Sequence, residues 1–562
     1  MANPSLQIGN SNWAIKEDNL LGYSTAGTRF VPQPITMTRE SAGTRVNSSG
    51  LVETVELLGS EEVTNVDFTQ LPLGTGWDAY TSGSSTVAFT EGAILSIDDS
   101  NSNVGVYQQN IFTNGVQYKI IVSVKATASF DAEIVESQGA ATQTTIGTVS
   151  LTTSYQDFVF YFTGTGTNDL FIHRLYGETA GANQSIYIKE VSVKESTKNN
   201  LARVDYDGTA SSLLAEPQRT NLVTYSSDFS NSYFQKVRST ISTDQIISPD
   251  GTQNADKFIE DSALGTKLLW TQDEVISIGD KITWSVFAKK GEREWIMLRD
   301  TQAGSFTVFF DLENGVIGTS SGVDSSKIED YGSGWYRCSI TYTSTTTTAR
   351  GRLYLADADS GESYQGNGTS GLYIWGAQLE EGSYDTSYIP TSGSTVTRNQ
   401  DIFTRDGIGS LIGQTEGTFF IELSKPVLNF STQSLISLNN AASNSDANSI
   451  AIGFDAGDDF FIRLQSNNVL VFQETETNAD ANTFYKVAIS YKSGESLMYL
   501  NGSPLTPTSG NLSNTFTFAV ILDNLSFDFR GDGALPFFGK VKQLQVYDTA
   551  LTDTELATLT TI

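Results

Sequence analysis

The sequence predicts an all-β protein in which an extended N-terminal arm is followed by three β-sandwich domains. Short runs that alternate apolar and polar residues, such as QYKIIVSVKA and KITWSVFAKK, recur between turns rich in Gly, Asn and Thr. Only 17% of the 562 residues are charged and 49 are Gly, a composition that suits many turns better than helix bundles. The length fits roughly three or four domains. Only LTDTELATL (551–559) has a helical pattern.

Residues 1–56 are predicted to form an attachment arm and the start of a linker, because they show little periodicity and the proline spacing of VPQPITMT suits extended chain. The opening MANPSLQIGN has neither the basic nor the apolar stretch of a signal peptide, so we expect synthesis in a cytoplasm. No run approaches the roughly 18 apolar residues of a membrane span, and we expect no membrane insertion.

Residues 57–199 and 221–398 are predicted to be two copies of one jelly roll. Four blocks of the first region match four blocks of the second in the same order, which is typical of a duplication. The matching blocks are NVDF (65–68) and SSDF (226–229), VQYKIIVSVKA (116–126) and DKITWSVFAKK (280–290), SYQDFVFYFTGT (154–165) and GWYRCSITYTST (334–345), and SIYIKEVSVKES (185–196) and GLYIWGAQLEEG (371–382).

Residues 200–220 are predicted to be a linker between the two jelly rolls. This segment shares a polar, arginine-bearing and turn-rich composition with residues 39–55. We therefore expect the two segments to lie together, with the first jelly roll inserted between them. Residues 399–562 return to short alternating runs, among them GTFFIELS, FFIRLQS and GKVKQLQVYD, and are predicted to form the third sandwich.

Charge and composition exclude several functions. The net charge of −30 argues against nucleic acid, which needs a basic surface. Cys338 is the single cysteine, so no intrachain disulfide can form, and its strand-like context predicts a buried thiol. His173 is the single histidine, so a catalytic triad or a histidine-based zinc site lacks its usual parts. We expect no cofactor.

Several of these segments resemble a module of tailed-bacteriophage virion proteins, in which jelly rolls similar to carbohydrate-binding modules are combined with a lectin-like domain. The residues that carry the resemblance are TRESAGTRVNSSGLVE, RVDYDGTASSLLAEPQRTNLVTYSSDFS, SPDGTQNADKF and LYIWGAQLEEGSYDTSYIPTSGSTVTR. The last region, with YKVAISYKSGESLMYLNGSPL (485–505) and FFGKVKQLQVYDTALTDTEL (537–556), resembles a concanavalin-A or laminin-G-like sandwich. The resemblance implies a virion protein that contacts other virion proteins through its N-terminal arm. We also expect a homo-oligomer, with a trimer as one form, because several copies would supply the many weak sites that multivalent adhesion needs.

Enzymatic activity is not predicted. Glycan hydrolysis needs two carboxylates roughly 5–10 Å apart across a cleft. The nearest pair, Asp311 and Glu313 in FFDLENG, is interpreted as a polar strand end. The sequence also lacks the repeat of roughly 20–30 residues that a solenoid depolymerase spike would show.

Acidic and amide-rich loops are compatible with a structural calcium ion, but none matches an EF-hand and the sequence does not place the ligands. The loops are DDSNSN (98–103), DADSGE (357–362), NNAASNSDANS (439–449) and DAGDD (455–459). The metal site is therefore left unassigned.

Aromatic residues on the closing strand of the second jelly roll are candidates for glycan binding or for an interface. In the ungapped alignment of the two closing strands, Lys189 matches Trp375, and a phase change predicts a β-bulge near Glu190 and Gly376. Lysine is seldom buried, so Trp375 and the neighbouring Tyr373 are predicted to lie outside the core. They either stack on a sugar or are covered by the tail SYDTSYIPTSG, by a neighbouring domain or by another subunit.

Trp77 and Tyr80 in LGTGWDAY are a second pair of candidates, because a glycine-rich loop suits either a binding tip or a packed plug. Trp295 and Arg299 in REWIMLRD lie at strand spacing, and Trp295 is interpreted as a core residue.

These observations favour a tail fibre or related phage appendage that attaches to host-surface polysaccharide through many weak sites. The alternative is a capsid-decorating or head-fibre protein with a structural or weakly adhesive role. A glycan depolymerase has the least support.

Overall fold

A computed structural model of the chain describes residues 2–9, 14–16, 19–26, 29–90, 92–98, 104–137, 143–174, 183–302, 305–427, 432–440, 447–529 and 535–562. The described chain is built almost entirely of antiparallel strands, which confirms the all-β class. It forms two compact units, one of Met1–Val55 with Asn199–Ile562 and one of Glu56–Lys198. In the described chain, no helix has the length and apolar composition needed to cross a membrane.

The strands that precede the inserted unit are β1 (Leu6–Gly9), β2 (Ala14–Lys16), β3 (Asn19–Ala26), β4 (Arg29–Thr38), β5 (Thr44–Val46) and β6 (Val52–Thr54).

The inserted unit is a sandwich of two antiparallel sheets, which we call the first sandwich. Its strands are β7 (Leu57–Glu61), β8 (Asp78–Thr81), β9 (Thr86–Thr90), β10 (Gly92–Ser96), β11 (Val104–Gln108), β12 (Gln117–Ala126), β13 (Asp131–Ser137), β14 (Gln143–Ser150), β15 (Gln156–Thr163), β16 (Asp169–Arg174) and β17 (Ser185–Thr197). Sheet A has the order β15-β12-β17-β10-β9, with β7 beside β17, and sheet B has the order β14-β13-β16-β11-β8. Alternate residues of both sheets, such as Val122 and Ile134, fill the core between them.

The second sandwich follows three strands in the predicted linker, β18 (Arg203–Asp207), β19 (Ala210–Ala215) and β20 (Arg219–Asn221). Strand β19 pairs with residues 539–541, and Leu213 and Ala215 lie in the C-terminal core, so β18 and β19 belong to the C-terminal sandwich and do not form a linker as predicted.

The strands of the second sandwich are β21 (Gln235–Val237), β22 (Ser239–Ile246), β23 (Ala255–Glu260), β24 (Leu264–Trp270), β25 (Glu274–Val275), β26 (Lys281–Lys289), β27 (Trp295–Asp300), β28 (Phe306–Asp311), β29 (Val316–Ser321), β30 (Ser325–Asp330), β31 (Trp335–Thr343), β32 (Thr348–Ala349), β33 (Arg352–Ala356), β34 (Ser363–Gln365), β35 (Gly371–Glu381) and β36 (Val396–Arg398). Sheet A has the order β22-β23-β35-β26-β31-β30, and sheet B has the order β21-β24-β33-β27-β28-β29.

The two sandwiches share one strand order, as the four matching sequence blocks predict. The order β15-β12-β17-β10 in sheet A of the first sandwich corresponds to β31-β26-β35-β23 in the second. In sheet B, β14-β13-β16-β11 corresponds to β28-β27-β33-β24. Equivalent faces of the two sandwiches can therefore be compared strand by strand.

The closing strands β17 and β35 both carry an irregularity where the sequence predicts a bulge. The β12–β17 register shifts between Ser123 and Val124, opposite Glu190 and Ile188. The β26–β35 register shifts between Ser285 and Phe287, opposite Gln378 and Trp375. These shifts confirm the predicted bulge.

The C-terminal strands are β37 (Ile402–Arg405), β38 (Glu416–Ser424), β39 (Ser434–Asn439), β40 (Ser449–Phe454), β41 (Phe460–Ser466), β42 (Val469–Glu474), β43 (Tyr485–Lys492), β44 (Leu497–Leu500), β45 (Ser503–Pro504), β46 (Ser509–Gly510), β47 (Asn524–Ser526) and β48 (Gly539–Tyr547). The helix α1 (Asp553–Thr560) follows, and it confirms the helical pattern read from the sequence. Thr552 and Glu555 form a capping box at its N-terminus.

The N-terminal strands belong to this C-terminal sandwich, which differs from the predicted extended arm. Strand β1 pairs with β48, and β4 pairs with β37. Leu6, Ile8, Ile35 and Met37 lie in the C-terminal core. These residues alternate with polar neighbours, so β1 and β4 each have an apolar face that is stabilised by burial.

A buried ionic cluster joins the segments on either side of the inserted unit. Asp401 pairs with Arg39 at 2.9 Å and with Arg203, while Glu216 accepts from Arg203 at 2.6 Å and from Arg398 at 3.0 Å. All five side chains are buried. Burial opposes ionisation of Glu216, but Arg398 and Arg203 hold the pKa of its carboxyl well below the usual range. Burial lowers the pKa of Arg39 to about 10 despite its pairing with Asp401. The cluster fixes residues 39–55 against the linker and the end of the second sandwich.

Candidate functional site

Trp375 lies on the outer face of sheet A of the second sandwich, away from the core, but it is only 3% exposed. Its ring centroid is 4.6 Å from that of Tyr388 and 5.2 Å from that of Phe287, and Trp335 and Val52 belong to the same apolar cluster. Tyr388 belongs to the tail that follows β35. Trp375 therefore lies outside the core, as predicted, and is covered by the chain's own tail, one of the alternatives that the sequence left open.

Hydrogen bonds hold this tail against strand β35 and against Ser226, which follows β20. The Tyr388 hydroxyl and Ser226 Oγ are 2.6 Å apart, and the Ile389 amide donates to Gln378 Oε1 at 2.7 Å. Thr386 Oγ1 donates to the buried carboxylate of Glu380 at 2.6 Å. A sugar could reach Trp375 only if these bonds were broken. Tyr373 is half-buried, and the Lys257 ammonium lies 5.8 Å from its ring centroid.

The two candidates in LGTGWDAY, Trp77 and Tyr80, lie in different surroundings. Trp77 is 5% exposed, packs on Phe68 at 4.8 Å and donates its Nε1–H to the Asn65 carbonyl at 3.1 Å, so it is part of the first core. Tyr80 is 38% exposed and lies on β8, at the edge of sheet B.

The outer face of sheet A in the first sandwich is exposed, and lysines lie against its aromatic rings. Tyr155 is 42% exposed and occupies the position that the buried Trp335 has in the second sandwich. The Lys125 ammonium lies 4.5 Å from the Tyr155 ring centroid, and the Lys198 ammonium lies 3.2 Å from that of Tyr161. Each contact places a lysine ammonium against one face of a tyrosine ring.

The outer face of sheet B in the first sandwich brings three aromatic rings together around Phe171. Tyr80 and Tyr107 both approach Phe171 edge-on, with centroids 5.7 and 6.2 Å away. A Cβ at Gly105 would lie 2.6 Å from Phe171 Cε2, so the absence of a side chain there makes room for the ring. Tyr80, Tyr107 and Phe171 are all partly exposed, and together they form an aromatic patch on a rigid sheet.

Polar groups extend this patch along the same face. His173 stacks on Phe171 at 4.5 Å, and its Nε2 is 3.9 Å from the Glu133 carboxylate. Burial lowers the pKa of His173 below its usual value, so the imidazole is neutral at pH 7. Glu133 also accepts a hydrogen bond from Thr145 Oγ1 at 2.7 Å. We call Tyr80, Tyr107, Phe171, His173 and Glu133 the first B face.

The equivalent face of the second sandwich carries two half-buried tryptophans, Trp270 on β24 and Trp295 on β27. Between them, Tyr354 on β33 and Met297 on β27 are buried directly opposite each other. Strand spacing and rise place Tyr354 about 8 Å from each tryptophan along a diagonal, measured between Cα atoms. The tryptophans therefore border a shallow apolar floor.

Two arginines lie on this same face. Arg352 faces Trp270 across β24–β33 and faces Arg299 across β27–β33. The Arg352 guanidinium carbon lies 5.9 Å from the Trp270 ring centroid, and that of Arg299 lies 6.0 Å from the Tyr354 centroid. Arg299 donates to Glu362 at 3.0 Å. We call Trp270, Trp295, Tyr354, Met297, Arg299 and Arg352 the second B face.

Both B faces combine flat aromatic rings with nearby polar groups, the two features on which sugar-binding surfaces rely, because the apolar face of a pyranose packs on a flat ring. They lie on the same sheet of a duplicated fold, on regular strands rather than on loops. Their side chains are therefore held in place without a ligand.

Sequence reasoning missed most of these residues, and for Trp295 the core interpretation was wrong. In REWIMLRD, Trp295 and Arg299 have the same strand parity, whereas Ile296 and Leu298 lie in the main core. The charge of Arg299 was the available signal, because a strand face that carries an arginine seldom points into a core. The same rule applied to GRLYLAD places Arg352 and Tyr354 together.

The acidic candidates take part in local structure. Asp311 accepts backbone hydrogen bonds from Glu313 and Asn314, and Glu313 pairs with Lys290, so both carboxylates serve the turn after β28. Within the described ranges, no three His, Cys, Asp or Glu side chains are grouped to hold a metal ion. Residues 99–103 and 441–446 of the proposed calcium loops lie outside those ranges.

A cleft of about 510 Å³ lies beside the covered Trp375 face and is lined by several charged side chains. These charges pair with each other across short distances, as in Lys540 with Asp205 at 2.7 Å and Lys281 with Asp324 at 2.9 Å. Tyr331 and Tyr388 contribute aromatic surface.

A comparison with protein families finds a match in the C-terminal region. Residues 428–557 match the Concanavalin A-like lectin/glucanases superfamily (Laminin_G_3). This match confirms the lectin-like resemblance of that region. No curated protein matches the chain.

Solved structures with similar parts include carbohydrate-binding modules. One, described as "CBM4 structure and function", is 18% identical, covers 22% of this chain and 98% of its own, and has a TM-score of 0.19. The Ruminococcus gnavus IT-sialidase CBM40 is 17% identical, covers 26% and 84%, and has a TM-score of 0.22. A family 29 carbohydrate-binding module is 16% identical, covers 26% and 92%, and has a TM-score of 0.19.

Proposed function

We propose that this chain is a non-enzymatic glycan-binding protein whose two sandwiches bind sugars through their B faces. The observation that carries the proposal is the repetition of an aromatic patch on one sheet of both copies. Phe171 with Tyr80 and Tyr107 forms the first patch, and Trp270 and Trp295, which pack on the same apolar cluster on either side of Tyr354, form the second.

The contrast with sheet A supports this choice of face. The outer side of sheet A is closed by the tail around Trp375 in the second sandwich, whereas in the first sandwich Tyr155 and Tyr161 stay exposed with a lysine ammonium against each ring. Sheet B therefore keeps partly exposed aromatic rings on its outer face in both copies, although the two sets of residues differ.

Two B faces in one chain suit adhesion by many weak contacts, because linked sites raise the apparent affinity through effective concentration. The lectin-like match at residues 428–557 adds a third domain of a type compatible with glycan contact. The sequence resemblance to phage virion modules supports a place on a virion, as a homo-oligomeric tail fibre or related appendage that contacts host-surface polysaccharide.

The test is binding of the full-length protein to a panel of bacterial surface polysaccharides, with Phe171→Ala and Trp270→Ala as variants. We expect each substitution to weaken binding by about 10-fold at its own face. Val159→Ala, an exposed residue on sheet A of the first sandwich, is the matched control. Absence of binding to every polysaccharide would contradict the proposal. Gold-labelled antibody on phage particles tests the virion placement, and labelling of the head would contradict the tail position.

A further inference from the structure

We infer that the second B face binds an acidic glycan through the carboxylate of a sugar acid, with Arg352 and Arg299 as the recognising residues. The inference rests on the proposed function of this face and adds its ligand class.

The first observation is that, among the described residues, Arg352 has no ion-pair partner, and its Nε is buried without a hydrogen-bond acceptor. The protein has 64 acidic and 34 basic residues, so a carboxylate is the commonest charged group on its surface. An arginine without such a partner in this protein, against the ring of Trp270, is positioned to bind an anion from outside.

The position of Arg299 is the second observation. It lies directly opposite Arg352 in the β27–β33 register, and like charges at such positions destabilise a sheet. Its partner Glu362 has a side chain that is 37% exposed, and the Arg299 Nε is buried without an acceptor. A bound anion would relieve the repulsion between the two guanidinium groups.

The aromatic rings orient these cations without using their donors. Trp270 and Tyr354 contact the guanidinium groups through ring faces, which leaves N–H groups free to donate. A carboxylate matches two parallel guanidinium N–H groups, and the ring of the same sugar would pack on Trp270. A phosphate group of a glycan is also an anion, and it is the alternative to the carboxylate as the group that the two arginines bind.

In its described part, the first B face has no pair of arginines beside its aromatic rings. It carries the Glu133 carboxylate and the neutral His173 instead of two guanidinium groups. A carboxylate-bearing sugar would be repelled by Glu133. The two sandwiches therefore bind different sugars, acidic at the second face and uncharged at the first.

The experiment uses the full-length protein and an array of uronate- and sialate-bearing bacterial oligosaccharides, each also present after reduction of its carboxyl groups to alcohols. Phosphodiester-linked glycans form a third arm. The variants are Arg352→Gln and Arg299→Gln. The control is Arg350→Gln, which removes an arginine paired with Asp273 outside the face.

We expect carboxyl reduction to weaken binding of at least one acidic member by about 10-fold or more, the loss that follows from one hydrogen bond to a charged group. Arg352→Gln should cause the same loss for acidic members and leave neutral members unchanged, whereas Arg350→Gln should bind as the wild type does. Arg352→Lys should recover only part of the affinity, because an ammonium lacks the paired donors.

If Arg352→Gln fails to fold, the salt dependence of wild-type binding replaces it, and acidic members alone should weaken from low to high salt. Equal binding of native and carboxyl-reduced members would overturn the acidic ligand while leaving the proposed function in place. Preference for the phosphodiester arm would overturn the carboxylate. No binding in any arm would overturn the proposed function itself.

Discussion

The Arg352 guanidinium carbon lies 5.9 Å from the Trp270 ring centroid, and the two residues face each other across strands β24 and β33. This contact orients the arginine on the same outer face as the indole, so an aromatic surface and a cation are presented side by side. Both residues lie on regular strands, which limits their motion before a ligand arrives. The second B face is therefore preorganised for a ligand that has both an apolar ring and a negative charge.

Trp375→Ala should lower the free energy of unfolding of the second sandwich by about 3–5 kcal/mol, because it leaves a cavity between strand β35 and the tail. Trp375→Phe should cost much less, since the indole Nε1 has no hydrogen-bond partner among the described residues. Urea denaturation followed by tryptophan fluorescence measures both. Equal stability of Trp375→Ala and the wild type would contradict the packed role of this residue.

A residue with a Cβ costs about 1–2 kcal/mol in the left-handed backbone conformation. Gly376→Ala should destabilise the protein by more than this cost. Gly376 has φ of +64°, and an added Cβ would lie 2.8 Å from Phe287 Cδ2. Gly407→Ala is the control, because Gly407 has φ of +72° with no heavy atom within 4 Å of the added carbon. Equal shifts of the thermal midpoint in both variants would show that the Phe287 contact is unimportant.

Asp401→Asn should cost about 3–5 kcal/mol of stability, because it leaves Arg39 and Arg203 buried without their shared carboxylate. The matched control is Asp324→Asn, which breaks the exposed pair with Lys281 and should cost about 0–1 kcal/mol. Thermal denaturation at pH 7 compares them. A small effect of Asp401→Asn, similar to that of the control, would contradict a stabilising ionic cluster.

The ionisation of Glu216 should make the free energy of unfolding depend on pH below about pH 5. Its folded pKa is held far below the unfolded value of about 4.3, so the folded state binds fewer protons in that window. The contribution is complete above about pH 5 and is lost as the pH falls toward the folded pKa. Glu216→Gln should therefore be less stable than the wild type at pH 6, and the difference should shrink between pH 5 and pH 3. A difference that stays constant over this range would exclude the ionised carboxylate as its cause.

Sequence patterns predicted the strands and their duplication because alternation and repeated blocks are local signals. The position of Lys189 correctly placed Trp375 outside the core of its sandwich. The cover over Trp375 could not be read in the same way, because it comes from Tyr388, 13 residues later in the chain (375 to 388), and from Val52 before the inserted unit. Long-range packing of this kind leaves no periodic trace.

The B faces were missed for a related reason. Both faces of strand β27 are apolar, since Ile296 and Leu298 fill the core while Met297 is covered on the outer side. Alternation is weak in such a strand, and Trp295 was assigned to the wrong side. Strand β1 was missed because it is only four residues long, too short for a clear period, whereas the ten-residue β4 was interpreted as extended chain from its proline spacing.

The most direct test is calorimetric titration of the best-bound acidic oligosaccharide of the panel into the wild type, the double variant Trp270→Ala/Trp295→Ala and Trp375→Phe. We expect the double variant to lose about 10-fold or more in affinity at the second B face, and Trp375→Phe to bind as the wild type does. Unchanged affinity of the double variant for an acidic oligosaccharide, or an equal loss in a folded Trp375→Phe, would contradict the claim that the second B face is the glycan-binding surface.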